Sequence, residues 1–325
     1  MGRPVTTFCH FVGQRRVVAH VQRLVVGAKN AGDPCTSMLL AGPAGSGKTT
    51  MAAAIAAAYG SQLHVLLAGT DTKPADICRI LSELKHGDVF LADEIHSLPA
   101  DAQQIFFIAL DQWKMPRLTE RGIDRSTLES IAKFTLIAAT NEPGRIKQAL
   151  RTRLTRIEFD PYSQKELKAI AERIADSLEI SVSPQAANVL AATAQGSPRR
   201  IQRRILDLRH YWSGVQALTK DHIRAFLDSE GIDEHGFTPQ QREYLKALSG
   251  MPKGKCNLER LAVKLGCDVV NIRQEVEVYL IEQGYVDPAS RLGRGITPKG
   301  LEFVQSLPQE ASDSEDVSDD DHQSR

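Results

Sequence analysis

Gly42-Pro43-Ala44-Gly45-Ser46-Gly47-Lys48-Thr49 fits the spacing GxxxxGK[ST], which describes a device for holding a polyphosphate. Glycines let such a loop turn its N–H groups inward around a phosphate, and the next helix adds positive potential from its N-terminus. Lys48 can then bridge two phosphates while the Thr49 hydroxyl ligates Mg²⁺. The cradle runs from Gly42 through Thr50, and the competing reading is an ordinary glycine-rich turn. A second set of groups is Asp93-Glu94, two acids closing the apolar run VFLAD, with Asp93 suited to hold Mg²⁺ and Glu94 to activate water. Asn141, at the end of FTLIAAT, has an amide that could position that water, although an Asn there also suits a turn. Arg151 and Arg153, in LRTRL, could complete the site of a neighbouring subunit, where a guanidinium stabilises charge on phosphoryl oxygens; alternatively they are solvated surface residues.

These groups need a scaffold that brings distant segments to one edge. Between residues 37 and 160, short Val/Ile/Leu-rich runs (37–42, 63–69, 88–93, 134–140 and 156–160) alternate with helix-like stretches. That alternation predicts an α/β fold with a mostly parallel sheet, and the lack of period-two patterning predicts strands covered on both faces. Ligands of such sheets bind beyond the carboxyl ends of the strands, where the P-loop, Asp93 and Asn141 would all fall. From Ser163 the periodicity becomes helical. After residues 231–236 come three amphipathic helices and a β-like YVDPASRLGRGIT, the pattern of a winged helix-turn-helix. The expected divisions are an α/β domain over 1–162, an all-α lid over 163–235, a winged-helix domain over 236–307 and a disordered acidic tail over 308–325.

The 325 residues balance 40 Lys+Arg against 40 Asp+Glu. Residues 309–325 hold seven acids and one Arg, hence −6, which leaves +6 on residues 1–308. Overall neutrality therefore does not argue against a nucleic-acid partner. Five cysteines without CxxC spacing exclude a disulfide scaffold, and nine scattered His argue against a metal site built by protein ligands alone. The opening residues lack an apolar signal region and no long apolar window occurs further on, so a cytoplasmic location without a membrane is expected.

Taken together, Val12-Gly13-Gln14, GPAGSGKTT, DEIHSL (93–98), FTLIAATN (134–141), LRTR (150–153), GSPRRIQRR (196–204) and YLIEQGYVDPASRLGRGIT (279–297) resemble the RuvB-like AAA+ ATPases. The likeness spans roughly residues 3–305. It implies an ATP- and Mg²⁺-dependent motor acting on branched duplex DNA without sequence choice, in a homo-oligomeric, hexameric ring, with a RuvA-like partner. It further implies that Lys48 and Thr49 form the Walker A pair, that Asp93 and Glu94 form the Walker B pair and that Asn141 is sensor 1. Arg199 would be the sensor 2 arginine, Arg153 the arginine finger in preference to Arg151, and Val12 and Gly13 the adenine pocket. Departures from the family are Ala44 and Ser46 in place of Pro and Leu, Asn141-Glu142 in place of Thr-Arg, Thr155 in place of a Gly, and a more polar segment 112–130, with Trp113, Leu118 and Ile123 among charges, where RuvB grips RuvA.

In the winged-helix region, Asp268, Glu275, Glu277 and Glu282 outnumber Arg273 on the helix that would enter a groove, which disfavours base reading. The expected DNA contacts are therefore Arg291, Arg294 and Lys299, on and after the wing. Two other functions fit the same residues: a diverged AAA+ ATPase that remodels a protein complex, and a nucleotide-switched DNA-binding protein.

Overall fold

The computed structural model describes residues 7–120, 122–215, 217–290 and 293–307, with the side chains of residues 10 and 290 left out. The chain divides into two compact units between Leu227 and Asp228.

The first unit runs α1 (Arg15–Ala31), β1 (Met38–Ala41), α2 (Lys48–Tyr59), β2 (Leu63–Leu67), α3 (Pro74–Glu83) and β3 (Val89–Asp93). It continues with α4 (Ala100–Gln112), a hairpin of β4 (Lys114–Thr119) and β5 (Gly122–Ser130), then β6 (Thr135–Thr140), α5 (Gln148–Arg151) and β7 (Thr155–Glu158). Five strands form one sheet in the order β2-β3-β6-β1-β7, and every pair is parallel. Central strands β1 and β6 are buried along their whole length, as continuous apolar runs require. On one face α1 and α2 pack through Val21, Val25, Met51 and Ile55; on the other α3 and α4 pack through Ile77, Leu81, Ile105 and Phe106. The expectation of cover on both faces fails at β2. This strand is at the sheet edge, where helix cover stops short of its end, and Val65 and Leu67 are 55% and 74% exposed.

Four helices come next, α6 (Gln164–Ser177), α7 (Pro184–Thr193), α8 (Pro198–Tyr211) and α9 (Lys220–Ser229); the expected all-α character is broken by one short parallel pair, β8 (Ser181–Val182) and β9 (Ala217–Leu218). Helix α6 starts at a capping box, in which Ser163 Oγ accepts the Glu166 N–H and the Glu166 carboxylate accepts the Ser163 N–H.

The second unit holds α10 (Pro239–Ser249), β10 (Lys255–Cys256), α11 (Leu258–Leu265), α12 (Val269–Asn271), a π turn (Ile272–Val276), α13 (Glu277–Glu282), β11 (Val286–Ser290), β12 (Gly293–Ile296) and α14 (Pro298–Ser306). Asp233 Oδ1 accepts the Phe237 N–H at 2.8 Å and Arg242 donates to the Gly231 carbonyl at 2.8 Å, which binds the 231–236 segment to α10. Two elements had no counterpart in the sequence pattern. Strand β10 adds a third strand to the wing, in the order β10-β12-β11, and α14 packs Phe303 against Phe237 with ring centroids 4.9 Å apart. Gly293 is required at the wing, since a Cβ there would lie 2.4 Å from the Cys256 carbonyl oxygen, at φ 108°.

Candidate nucleotide-binding site

The carboxyl ends of β1, β3 and β6 lie side by side in the sheet. The loop after β1, the acids ending β3 and the Asn after β6 therefore share one edge, because parallel neighbours in register place their ends level. Lys48 begins α2 and donates Nζ to the carbonyls of Gly42 and Pro43, each at 2.9 Å, folding back over its own loop. Burial draws the Lys48 ammonium below its usual range; Glu94 and Asp93 oppose that shift and Arg199 adds to it. Thr49 donates its hydroxyl to Asp93 Oδ2 at 2.8 Å, so helix α2 and strand β3 meet through one hydrogen bond.

Gly47 takes φ 98°, and a Cβ there would stand 3.0 Å from Phe11 Cζ and 3.2 Å from the Tyr162 hydroxyl. A Cβ on Gly45 would lie 3.0 Å from Ser197 Oγ and 3.5 Å from Arg199 Cβ, which locates the start of α8, with Arg199 exposed, directly over the loop. Val12 and Gly13 are half-buried beside this region, and Gly13 faces the Glu166 carboxylate.

Asn141 comes directly after β6 as an exposed residue. Arg153 lies away from its own P-loop. Its Nε and Nη2 donate to Asp111 Oδ1 at 3.0 and 2.6 Å, and its guanidinium stacks 5.3 Å from the Phe107 ring. A guanidinium pinned on two donors still has its remaining N–H groups for a neighbour. Arg151 is half-buried at the end of α5.

Four residues at this site have no counterpart among the sequence-based candidates. Gln14 donates to the Asp160 carbonyl at 2.6 Å and accepts the Asp160 N–H at 3.2 Å, stitching the segment before α1 to the segment after β7. Tyr162 donates its hydroxyl to the Ser46 carbonyl at 2.9 Å, and burial pushes its pKa up to about 12. Phe11 closes over Gly47. His96 sits between Glu94 and Thr140. Position inside the quoted stretches Val12-Gly13-Gln14 and DEIHSL is the signal that could have found Gln14 and His96; for Phe11 and Tyr162 nothing in the spacing separates them from core aromatics.

In the second unit the basic set changes. Arg294 gives Nε to Glu277 Oε2 at 2.8 Å and Nη2 to Glu277 Oε1 at 2.6 Å, and its Nη1 reaches the Pro288 carbonyl at 3.2 Å. The cation expected to meet phosphate is instead half of an inward ion pair, because Glu277 is 2% exposed and needs a partner. Glu277 likewise leaves the set of acids expected to repel DNA, and Asp268 is a helix cap that accepts the Asn271 N–H at 2.7 Å. Lys299 is exposed, donates to the Gln283 carbonyl at 2.8 Å and lies 4.2 Å from the Tyr285 ring centroid. Arg291 lies outside the described residues.

Segment 112–130 is a hairpin, but Trp113, Leu118 and Ile123 pack against the chain's own core, Trp113 meeting Phe134 edge to face at 5.9 Å. Arg117 pairs with Glu129 and Arg125 with Asp101.

Known proteins are similar to this chain in sequence and in fold. The profile of the Holliday junction DNA helicase RuvB P-loop domain matches residues 3–158, and that of the RuvB C-terminal winged helix domain matches residues 234–305. The Holliday junction branch migration complex subunit RuvB of Kosmotoga olearia is 32% identical over 300 residues, covering 90% of this chain and 87% of the relative. The subunit of the same name from Saccharopolyspora erythraea is 31% identical over 306 residues, covering 92% and 86%. Among solved structures, the Thermotoga maritima RuvB Holliday junction branch migration motor superposes with a TM-score of 0.80 at 28% identity, covering 93% of this chain and 98% of that one.

Proposed function

The chain belongs to the RuvB family, and from that premise we propose that it is an ATP-driven motor that branch-migrates or remodels Holliday-junction-like DNA. The observation that carries this reading is the Thr49–Asp93 hydrogen bond, which joins P-loop and Walker B acid into one phosphate-facing edge, in a chain that also holds a winged helix.

In this reading the loop N–H groups and Lys48 hold the β- and γ-phosphates. Thr49 and Asp93 would hold Mg²⁺; a hydroxyl and a carboxylate 2.8 Å apart are the hard oxygen donors that ion takes. Among the described residues no group of three or more His, Cys, Asp or Glu could hold a metal by itself, so phosphate oxygens and water would complete the shell. When bound, the ion neutralises phosphate charge. Glu94 takes a proton from the attacking water and Asn141 orients that water. Arg199 reaches the γ-phosphate from α8 of the same chain, and Arg153 reaches that of the adjacent copy in a homo-oligomeric, hexameric ring. Hydrolysis removes the group on which both arginines converge, so lid and neighbour reorient. Lys299, with Arg291, would contact DNA backbone. For a RuvA-like partner the hairpin offers Leu128, its one exposed large apolar side chain among the described residues, a smaller apolar surface than its composition suggests.

The test is ATP turnover with and without a synthetic four-way junction, with Glu94→Gln as the blank. Stimulation by the junction and loss in Glu94→Gln are expected; turnover indifferent to junction DNA would sink the branch-migration reading.

A further inference from the structure

A general base needs one carboxylate oxygen aimed at water and the other held, or the group rotates and the reactive geometry is lost. Glu94 sits in the left-handed region at φ 53°, and its Oε2 is buried with no hydrogen bond of good geometry. His96 Nδ1 stands 3.3 Å from that atom. His96 is itself largely enclosed. The same Nδ1 lies 3.1 Å from the hydroxyl of Thr140, the last residue of β6, while Nε2 on the opposite edge lies 3.6 Å from Glu142 Oε1. Thr140 Oγ1 in turn accepts the Glu142 N–H at 2.9 Å, and Glu142 Oε2 meets Arg145 Nη1 at 3.4 Å. One imidazole therefore touches the base, the end of the adjacent strand and the residue after Asn141.

We propose that His96 is a positioning residue: its Nδ1 edge fixes Glu94 Oε2 so that Oε1 faces the lytic water, and its Nε2 edge ties that arrangement to Glu142. Displacement of the Asn141–Glu142 turn is thereby felt at Glu94 through a single rigid ring. The chain reaches this arrangement with an acid at 142, which gives the ring a second carboxylate to rest against. The inference rests on Glu94 acting as the base.

The experiment measures steady-state ATP turnover by the full-length protein, together with binding of a fluorescent ATP analogue and a thermal melt, for His96→Ala, His96→Asn, Glu142→Gln, the His96→Asn/Glu142→Gln pair and Glu94→Gln. His96→Ala should lower kcat by about tenfold or more while analogue affinity changes less than about twofold, because the phosphate cradle is untouched. His96→Asn, whose side-chain amide can occupy the Nδ1 position without reaching Glu142, should recover kcat to within about threefold of the parent. Glu142→Gln should lower kcat by about threefold in the parent and leave it unchanged in the His96→Asn background, since the relay is already cut. Unchanged kcat in His96→Ala, equal losses of affinity and kcat, or an identical Glu142→Gln effect in both backgrounds would each overturn the proposal. If Glu94→Gln turned over like the parent, the assignment of the base itself would fail, whatever the histidine variants did.

Discussion

Arg153, which we propose completes the site of a neighbouring copy, is held in advance of that task by its own chain. Asp111 and the Phe107 ring hold its guanidinium in place, and that preorganisation lowers the entropy lost when it meets a phosphate. We expect Arg153→Ala to lower kcat by about a thousandfold and Asp111→Ala by only about tenfold, with Asp111→Ala keeping the rise of specific activity with protein concentration that an inter-subunit site imposes. Activity titrated against enzyme concentration checks both. The cysteines offer a separate residue-scale test. Burial pushes Cys35 and Cys78 up to about 11, whereas Cys9 is exposed. Iodoacetamide at pH 8 should therefore label Cys9 in the native protein and reach Cys35 and Cys78 only after unfolding, as mass spectrometry of tryptic peptides would report. A thiol whose folded pKa is raised from 9.0 to about 11 contributes its stability fully below pH 9, and that share is lost as pH climbs towards 11.

At the scale of elements, the second unit's helix after the turn carries the most consequence. Its π turn over Ile272–Val276 winds in an extra residue and rotates the next helical residues by roughly 100°. Glu277 thereby enters the core beside Tyr244, whose hydroxyl donates to it at 3.2 Å. Arg294→Ala would leave that carboxylate buried and unpaired, at a cost of about 3–5 kcal/mol. A Glu277→Leu/Arg294→Met pair should recover most of that stability, and urea unfolding of the full chain would show it; equal loss in both variants would mean that the pair is not what stabilises the wing. Sequence could not reveal this, because the inward turn of Glu277 depends on helix phase and the pairing on strand β12. The P-loop, the placement of Asp93 and Glu94 at the end of a buried strand and the parallel character of the sheet were legible, since each depends on local spacing and apolar runs. The exposure of β2 and the inward packing of Trp113 and Leu118 were not, because position within a sheet is a property of topology, which no single run encodes.

For the whole molecule, charge distribution matters more than net charge. Residues 309–325 carry −6 beside a body of +6, and they lie outside the described residues. An acidic segment of this kind competes with phosphate for exposed cations such as Lys299. Truncation after Leu307 should raise affinity for non-specific duplex DNA most at low salt, by about tenfold near 50 mM, as measured by fluorescence anisotropy; an unchanged affinity would remove the idea. The Glu277–Arg294 pair has one more consequence, which concerns counterions. Each phosphate neutralised by a protein cation adds about 0.9 to the slope of log affinity against log salt. With Arg294 withdrawn into the domain, the wing's exposed cations are residues such as Lys255 and Lys299, and the slope expected of one copy is shallower by about 0.9 than if Arg294 also met a phosphate. In the ring proposed above, the wings of several copies would add on one duplex, and the measured slope would count how many of them touch it at once.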